Sequence, residues 1–201
     1  ADLFQVFCLL WYTRTFMWDY KLIKKAVLPV AGLGTRFLPA SKAIPKEMLP
    51  IIDKPLVQYA VEEAVNVGIN EIIFITSPEK FSIKNHFKKN KEIETKLVKS
   101  GKNDLAMVVN PEIFSKVSFY YINQKKQNGL GDAIQHAESI IGNSPFAILL
   151  PDDLFISKKS CLQQLIDAYV LNKSSAIAVN VIDQNNIHKY GVIKPKERTS
   201  E

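Results

Sequence analysis

The residues best suited to binding phosphate lie in positions 30–50, in the run VAGLGTRFLPASKAIPKEMLP. Gly32 and Gly34 follow an apolar stretch, and glycines directly after a strand let backbone N–H groups approach an anion closely. Arginine and lysine supply the charge that phosphate oxygens require, and prolines restrict the backbone between them. The cations of the run are Arg36, Lys42 and Lys46. This composition predicts a stiff, cationic loop that binds a polyphosphate.

The spacing of these residues differs from that of two common phosphate-binding motifs. The dinucleotide fingerprint G-x-G-x-x-G needs a third glycine, and Phe37 holds its place. The Walker A pattern G-x-x-x-x-G-K-[ST] is absent from the sequence. The run instead has the form G-x-G-T-R-x-x-P followed by P-K-E-x-x-P, which indicates another class of nucleotide-binding protein.

This form resembles the signature of the sugar-nucleotide pyrophosphorylases, a family of nucleotidyltransferases. The fuller run GLGTRFLPASKAIPKEMLPIIDKPLVQYAVEEA is similar to the bacterial UTP–glucose-1-phosphate uridylyltransferases of that family, over about residues 22–195. The resemblance implies transfer of a uridylyl group from UTP to glucose 1-phosphate, giving UDP-glucose and pyrophosphate. It also implies an α/β fold of the Rossmann-like nucleotidyltransferase type, with a central, mostly parallel sheet and helices on both faces.

The same resemblance assigns roles within the loop. Arg36 would stabilise the leaving pyrophosphate and Lys46 the reacting phosphate. Catalysis would then consist of positioning and charge neutralisation, without a nucleophile from the enzyme. The nucleotide-binding residues that it implies here are Ala31, Gly32, Gly34, Thr35 and Lys42.

Two adjacent acids follow a second apolar run, residues 146–150. An unbroken apolar run predicts a strand buried on both faces, and ligands bind at the carboxyl ends of such strands. Paired acids there suit a hard cation, although aspartate is also common in turns and at helix N-termini. Together with the resemblance, this leads us to expect that Asp152 binds Mg²⁺, whereas Asp153 caps a helix or contacts substrate.

The segment 124–133, QKKQNGLGDA, corresponds by resemblance to the part of the family that closes over the base. Gln124 would hydrogen-bond to the edge of uracil, because its amide offers both a donor and an acceptor. Gly129 would let the backbone approach the ring. Family members often have histidine where this chain has Asp132, so the role of Asp132 stays open.

Residues 187–193, IHKYGVI, resemble the segment below the glucose ring. The sugar-binding residues implied are His188, Tyr190 and Gly191, although a lone histidine is more often a surface residue. The family continues beyond the position of Glu201 with a lysine for the sugar phosphate and a second acidic metal ligand. We therefore expect the chain as given to bind nucleotide but scarcely to turn over.

The elements that would position these residues alternate along the chain, as in a doubly wound α/β domain. Besides residues 26–30 and 146–150, the predicted strands are 71–76, 117–122 and 175–182. One predicted helix begins at Pro55 and ends at Gly68. Two more span 132–141 and 158–172, and two short solvated helices are predicted within 79–100. Residues 104–114 favour neither state.

Composition limits the class of protein. The 201 residues are 47% hydrophobic, which suits one domain with a buried core. With 26 basic and 20 acidic residues the net charge is +6, which fits an anionic ligand such as a nucleotide. The sequence has neither a basic helix nor an aromatic RNA-binding motif, so we expect no nucleic acid partner. Cys8 and Cys161 form no C-x-x-C pair, which favours free thiols in the cytoplasm.

The first twenty residues, ADLFQVFCLLWYTRTFMWDY, are rich in aromatic side chains and have no clear period. Their apolar stretch is too short and interrupted to span a membrane, and they lack the features of a signal peptide. They also precede the family resemblance. We therefore divide the chain into a dispensable extension, 1–20, and a nucleotidyltransferase domain, 21–201. Full-length family members would form homo-oligomers, and no membrane partner is expected.

Three alternatives stay open. Another sugar-1-phosphate nucleotidyltransferase, such as a thymidylyltransferase, would share the first loop. The run K-A-I-P-K-E-M-L-P, however, favours the uridylyl enzyme. A nucleotide-binding module without turnover would bind UTP but release no pyrophosphate. A basic nucleic-acid binder would show a salt-dependent gel shift.

Overall fold

The computed structural model describes residues 3–11 and 23–193. Its strands are β1 (Leu3–Trp11), β2 (Lys25–Pro29), β3 (Pro50–Ile51), β4 (Lys54–Pro55), β5 (Glu71–Thr76), β6 (Ser118–Asn123), β7 (Phe146–Leu149) and β8 (Ile177–Ile182). Its α-helices are α1 (Leu56–Asn66), α2 (Phe81–Phe87), α3 (Lys91–Lys99), α4 (Asn103–Val109), α5 (Leu130–Gln135), α6 (Glu138–Ile141) and α7 (Cys161–Asn172). None of the helices in these described ranges is long and apolar enough to cross a membrane.

Six strands form one sheet in the order β6-β5-β2-β7-β1-β8. The four strands β6, β5, β2 and β7 run parallel to one another, and β1 is antiparallel to both of its neighbours. The small hairpin of β3 and β4 stands apart from this sheet. The predicted α/β fold with a central, mostly parallel sheet is confirmed.

The core lies on both faces of the sheet because the central strands are apolar at consecutive positions. In β2, Ala26 and Leu28 face the cluster that includes α1 and α7, whereas Val27 faces the opposite cluster with α5 and α6. The side chains of all three residues are completely buried. Helices therefore cover both faces, and the loops at the strand ends are left free for ligands.

Several predicted elements match the structure and others differ. The strand at Glu71–Thr76 has the predicted bounds, and Gly68 follows the end of α1 with a positive φ of 92°. The single helix predicted over 132–141 is divided into α5 and α6, because Ala137 N–H donates to Ile134 O in a tighter, three-residue turn. The helices α2 and α3 occupy the lysine-rich region as predicted, but α2 buries Ile83 and Phe87 rather than being fully solvated.

The largest difference concerns β1. The sequence predicts that residues 1–20 lie outside the domain, whereas Leu3–Trp11 is inserted between β7 and β8. Its backbone pairs with both neighbours, and the register is irregular between Val6 and Cys8. Without a strand in that position, the facing edges of β7 and β8 would leave backbone N–H and C=O groups unpaired. Residues 1–2 and 12–20 of the predicted extension lie outside the described residues.

His86 on α2 makes the stability of the fold dependent on pH. Its Nε2 lies 2.8 Å from Oε1 of Gln58, and burial lowers its pKa below the ordinary value of 6.5. His86 is therefore protonated more readily in the unfolded chain than in the folded one. As a result, the free energy of unfolding falls as the pH drops below about 6.5 toward the lower pKa of the folded state. We expect His86→Gln to lose part of this decrease, measured by thermal unfolding between about pH 5 and pH 7. The exposed His188→Gln is the control, and equal pH dependence in the parent and both variants would contradict the prediction.

Candidate functional site

Three loops that follow parallel strands meet at one edge of the sheet. They are residues 30–34 after β2, residues 77–80 after β5 and residues 150–153 after β7. The segment 45–49 contacts all three, through Lys46 and Glu47. The carboxyl ends of parallel strands form the usual ligand-binding edge of an open α/β sheet. The topology therefore collects five of the predicted site residues in one place: Ala31, Gly32, Gly34, Lys46 and Asp152.

Lys46 and Asp152 form an ion pair at the centre of this edge. The distance from Lys46 Nζ to Asp152 Oδ2 is 2.5 Å, and the two side chains are 16% and 22% exposed. The residues are 106 positions apart in the chain. The structure thus joins the loop that was predicted to bind phosphate to the acid that was predicted to bind metal.

Asp153 and Arg36 belong to the same electrostatic cluster. Burial, and then the charge of Asp152, raise the pKa of the Asp153 carboxyl to about 6, while Lys46 and Arg36 act in the opposite direction. The two carboxylates therefore repel each other, and the nearby cations only partly relieve this repulsion. Within the described residues no group of three or more His, Cys, Asp or Glu side chains could hold a metal ion.

The glycine loop depends on the left-handed backbone of Gly34. Its φ is 68°, and its carbonyl accepts a hydrogen bond of 2.7 Å from Ser41 Oγ. A Cβ added there would lie 3.2 Å from Lys46 Cβ and 3.3 Å from Ser41 Cβ. Gly34 thus lets the loop pack directly against Lys46.

The other predicted loop residues are distributed around Gly34. Ala31 is buried, whereas Gly32, Thr35 and Arg36 are exposed to solvent. Thr35 begins the short 3-10 helix Thr35–Phe37. Lys42 is exposed at the end of a second short 3-10 helix, Ala40–Lys42. Solvent exposure is what a loop that binds a dissolved polyphosphate requires.

A substitution at Gly34 tests how tightly this loop is built. We expect Gly34→Ala to lower the free energy of unfolding by about 1–2 kcal/mol, because the left-handed backbone disfavours a Cβ and the added atom crowds Lys46. Gly32→Ala is the matched control, because a Cβ there would meet nothing within 4 Å. Urea unfolding of the two variants measures the difference, and equal stabilities would contradict the prediction.

Gln124 is positioned by Asp132, the residue at which the chain departs from the family pattern. The side chain of Gln124 is 5% exposed, and its Nε2 donates to Asp132 Oδ2 at 2.6 Å. Its backbone N–H donates to Thr76 O at 2.8 Å, which places it at the end of β5. Asp132 therefore orients the Gln124 amide.

Gly129 precedes α5 with a φ of 103°, a conformation that favours glycine. A Cβ there would meet nothing within 4 Å, so the space beside Gly129 is open. Gly129 lies between Gln124 and α5, in the segment that the sequence predicts to bind the base.

The predicted sugar-binding residues follow β8. His188 lies on the 3-10 helix Gln184–Lys189, and Tyr190 follows it with 37% of its surface exposed. Because β8 and β7 are both antiparallel to β1, they point the same way, and Tyr190 and Gly191 follow the same edge of the sheet as Asp152. One strand position separates β8 from β7, which corresponds to about 10 Å between them. The structure does not bring these residues into the Lys46–Asp152 cluster.

Two residues of this edge were missed by sequence reasoning. Glu47 is 1% exposed, and its Oε2 lies 2.8 Å from Nζ of Lys80 in the loop after β5. Lys80 Nζ also donates to the carbonyl of Gly32 at 2.6 Å. The signal in the sequence is the P-K-E run itself, in which the glutamate directly follows Lys46.

Comparisons with known proteins identify the family of this chain. The family described as "Nucleotidyl transferase" matches residues 25–200, which leaves β1 outside the match. A UTP–glucose-1-phosphate uridylyltransferase of Staphylococcus epidermidis is 48% identical over 178 residues, covering 89% of this chain and 62% of the relative. UTP–glucose-1-phosphate uridylyltransferase 2 of Staphylococcus saprophyticus is 48% identical over 176 residues, covering 88% of this chain and 61% of the relative.

Solved structures agree with these relatives. The UDP-glucose pyrophosphorylase from Acinetobacter baumannii is 46% identical with a TM-score of 0.71, covering 75% of this chain and 54% of that one. The UTP-bound UGPase from the same organism has a TM-score of 0.70, with the same identity and coverage. The chain thus spans about 61–62% of the length of these curated relatives. The match over residues 25–200 shows that this chain belongs to the nucleotidyl transferase family.

Proposed function

We propose that this chain supplies the nucleotide-binding part of a UTP–glucose-1-phosphate uridylyltransferase. The reaction is transfer of a uridylyl group from UTP to glucose 1-phosphate, which gives UDP-glucose and pyrophosphate. The observation that carries the proposal is the Lys46–Asp152 pair, which joins the cationic glycine loop to the acids after β7. The relatives that bear this activity in their names are 48% identical to the chain, which supports the same assignment.

In the proposed reaction, an oxygen of the sugar phosphate attacks the α-phosphorus of UTP in line. A new P–O bond forms, the bond between the α- and β-phosphates breaks, and pyrophosphate leaves. Arg36 is exposed beside the loop and neutralises the charge that develops on the pyrophosphate. Lys46 binds the reacting phosphate, so substrate must compete with Asp152 for its ammonium group. Such pre-positioned charges lower the barrier without a covalent intermediate.

The acids after β7 fit Mg²⁺ by their chemistry. Carboxylate oxygens are the hard ligands that Mg²⁺ prefers, and it takes its other ligands from water and substrate phosphates. We propose Asp152 as the ligand, with Asp153 beside it. When bound, the ion neutralises charge on the α-phosphate. Nucleotidyl transferases generally use divalent metal ions, which supports the choice.

Binding of the base and sugar is proposed on the remaining predicted residues. Gln124 offers the uracil its Oε1 carbonyl, because its Nε2 donates to Asp132. Gly129 leaves room for the ring. Tyr190, Gly191 and His188 contact the glucose from the loop after β8. A thymidylyltransferase is the less favoured alternative, because the structural relative of that name is only 22% identical to this chain.

The central test is calorimetric binding of UTP to the chain in the presence of Mg²⁺, with dTTP and ATP as competitors. We expect UTP to bind more tightly than the other two, and Asp152→Asn to remove the dependence on Mg²⁺. Pyrophosphate release is then measured for the chain as given and for a chimera extended past Glu201 with the matching part of the Staphylococcus epidermidis relative. If only the chimera releases pyrophosphate, the result supports the proposal that this chain binds the nucleotide and needs the added segment for turnover. Absence of UTP binding, or preference for dTTP, would overturn the proposed substrate.

A bulky side chain at Gly129 should block the base. We expect Gly129→Val to abolish UTP binding, because the valine side chain would fill the open space beside Gly129. The chain should stay folded, because the strained backbone lies in an exposed loop. Gly101→Val is the matched control, since Gly101 has a comparable φ of 76° in a turn outside the proposed site. Unchanged UTP affinity in Gly129→Val would remove this segment from the site.

The oligomeric state and the cytoplasmic location stay predictions. Cys161 is a free, half-buried thiol, and burial raises its pKa. This state agrees with the predicted reducing compartment without testing it. Size-exclusion chromatography of the chain, with and without UTP, would test for the predicted homo-oligomer.

A further inference from the structure

Three carbonyl oxygens of the glycine loop, residues 31–34, accept hydrogen bonds from side chains elsewhere in the chain. The pairs are Gln127 Nε2 with Ala31 O at 2.8 Å, Lys80 Nζ with Gly32 O at 2.6 Å, and Ser41 Oγ with Gly34 O at 2.7 Å. In a planar trans peptide the C=O and the following N–H point in opposite directions. Each bond therefore also turns the N–H group of the following residue, at position 32, 33 or 35, away from the donor that holds the carbonyl. Successive N–H groups presented in this way form a concave site for an anion.

Lys80 differs from the other two donors because it is both charged and largely buried. Its side chain is 10% exposed, at the turn between β5 and α2. The turn itself is closed by a 3.0 Å bond from Lys80 N–H to Ser77 O. Lys80 thus reaches the glycine loop from the end of the neighbouring strand, and its position is set by the sheet.

The same ammonium group is tied to a buried carboxylate. Glu47 Oε2 accepts from Lys80 Nζ at 2.8 Å, whereas Glu47 Oε1 has no hydrogen-bond partner among the described residues. A buried carboxylate so poorly satisfied holds its one cation strongly. The neighbouring residue, Lys46, donates to Asp152. Lys80 therefore links the glycine loop to the segment that carries Lys46.

We infer that Lys80 is a positioning residue, which holds the Gly32 carbonyl so that the N–H groups of the glycine loop face the triphosphate. The identity of the anion rests on the proposed function, but the positioning role concerns the loop itself. Lys80 Nζ donates to both Glu47 and Gly32, so two of its three N–H groups are already used within the protein. Its effect on nucleotide binding is exerted through the backbone.

The first experiment follows backbone amide hydrogen exchange without any nucleotide. In Lys80→Met we expect the hydrogen-bonded amides that flank the loop, those of Val30, Phe37 and Leu38, to exchange about tenfold faster or more, while those of β6 are unchanged. Lys54→Met is the matched control, because Lys54 also forms an ion pair, with Glu62 at 2.9 Å, but contacts the α1 region rather than the glycine loop. Exchange in the loop at the parent rate in Lys80→Met would overturn the inference.

A second variant separates positioning from simple neutralisation of Glu47. The double variant Lys80→Met/Glu47→Gln removes both charges, so no unpaired carboxylate is left buried and folding is protected. If Lys80 positions the Gly32 carbonyl, the loop amides of the double variant still exchange faster than those of the parent. If they return to the parent rate, Lys80 only compensates Glu47 and the inference is wrong.

UTP affinity gives an independent readout. We expect UTP to bind the double variant about tenfold more weakly or worse, because its loop N–H groups are no longer held in place. Equal affinity of the parent and the double variant would overturn the inference. If the parent itself fails to bind UTP, the proposed function fails, while the exchange rates still decide whether Lys80 positions the loop.

Discussion

Replacing Arg36 or Lys46 with alanine should lower the rate of pyrophosphate release by roughly 30- to 1,000-fold. This range corresponds to about 2–4 kcal/mol, the usual loss when one charge-stabilising donor is removed from a transition state. Both cations lie in the cluster with Asp152 and Asp153, and the partial burial of Lys46 strengthens its interaction with phosphate. The loss should therefore fall on turnover more than on folding.

The two variants should also differ from each other. Lys46→Ala leaves Asp152 without its 2.5 Å partner, so it should alter the Mg²⁺ dependence of UTP binding as well as the rate. Arg36 is exposed and should affect the rate more selectively.

The rates are measured in the chimera extended past Glu201, with Lys54→Ala as the control. Lys54 forms an ion pair with Glu62 outside the proposed site, so its loss tests for a general effect of removing a cation. Near-normal rates in both Arg36→Ala and Lys46→Ala would contradict their assignment.

Deleting residues 1–20 should destabilise the domain severely. The strand β1 pairs along one side with β8 and along the other with β7, so its removal separates two strands of the sheet. We expect a loss of at least ~3 kcal/mol, a large part of the ~5–15 kcal/mol that stabilises a typical domain. This expectation replaces the one from sequence, in which residues 1–20 are dispensable.

Thermal and urea unfolding measure this effect. The control deletes residues 1–2 only, which removes no residue of β1. An unchanged midpoint after deletion of residues 1–20 would show that the sheet does not depend on β1. Aggregation of the shortened chain would agree with exposed edges on β7 and β8.

The sequence by itself determined the elements that depend on local pattern. An apolar run at residues 71–76 predicted β5. Pro55, which precedes a pattern of helical spacing, predicted the start of α1. Glycines, cations and prolines at fixed spacing predicted where a phosphate loop would lie, and the acids after residues 146–150 followed from the same reasoning. These features involve neighbours along the chain, so propensity and spacing are sufficient to find them.

The tertiary structure decided which distant residues meet. The pairs Lys46–Asp152 and Lys80–Glu47 form because strands β2, β5 and β7 align their carboxyl ends. The pair Gln124–Asp132 forms because α5 begins beside the end of β6. Two of these pairs join residues 106 and 33 positions apart, a distance over which no local pattern carries information. The position of β1 has the same origin, since its aperiodic sequence gave no sign of the partners that only the gap between β7 and β8 provides.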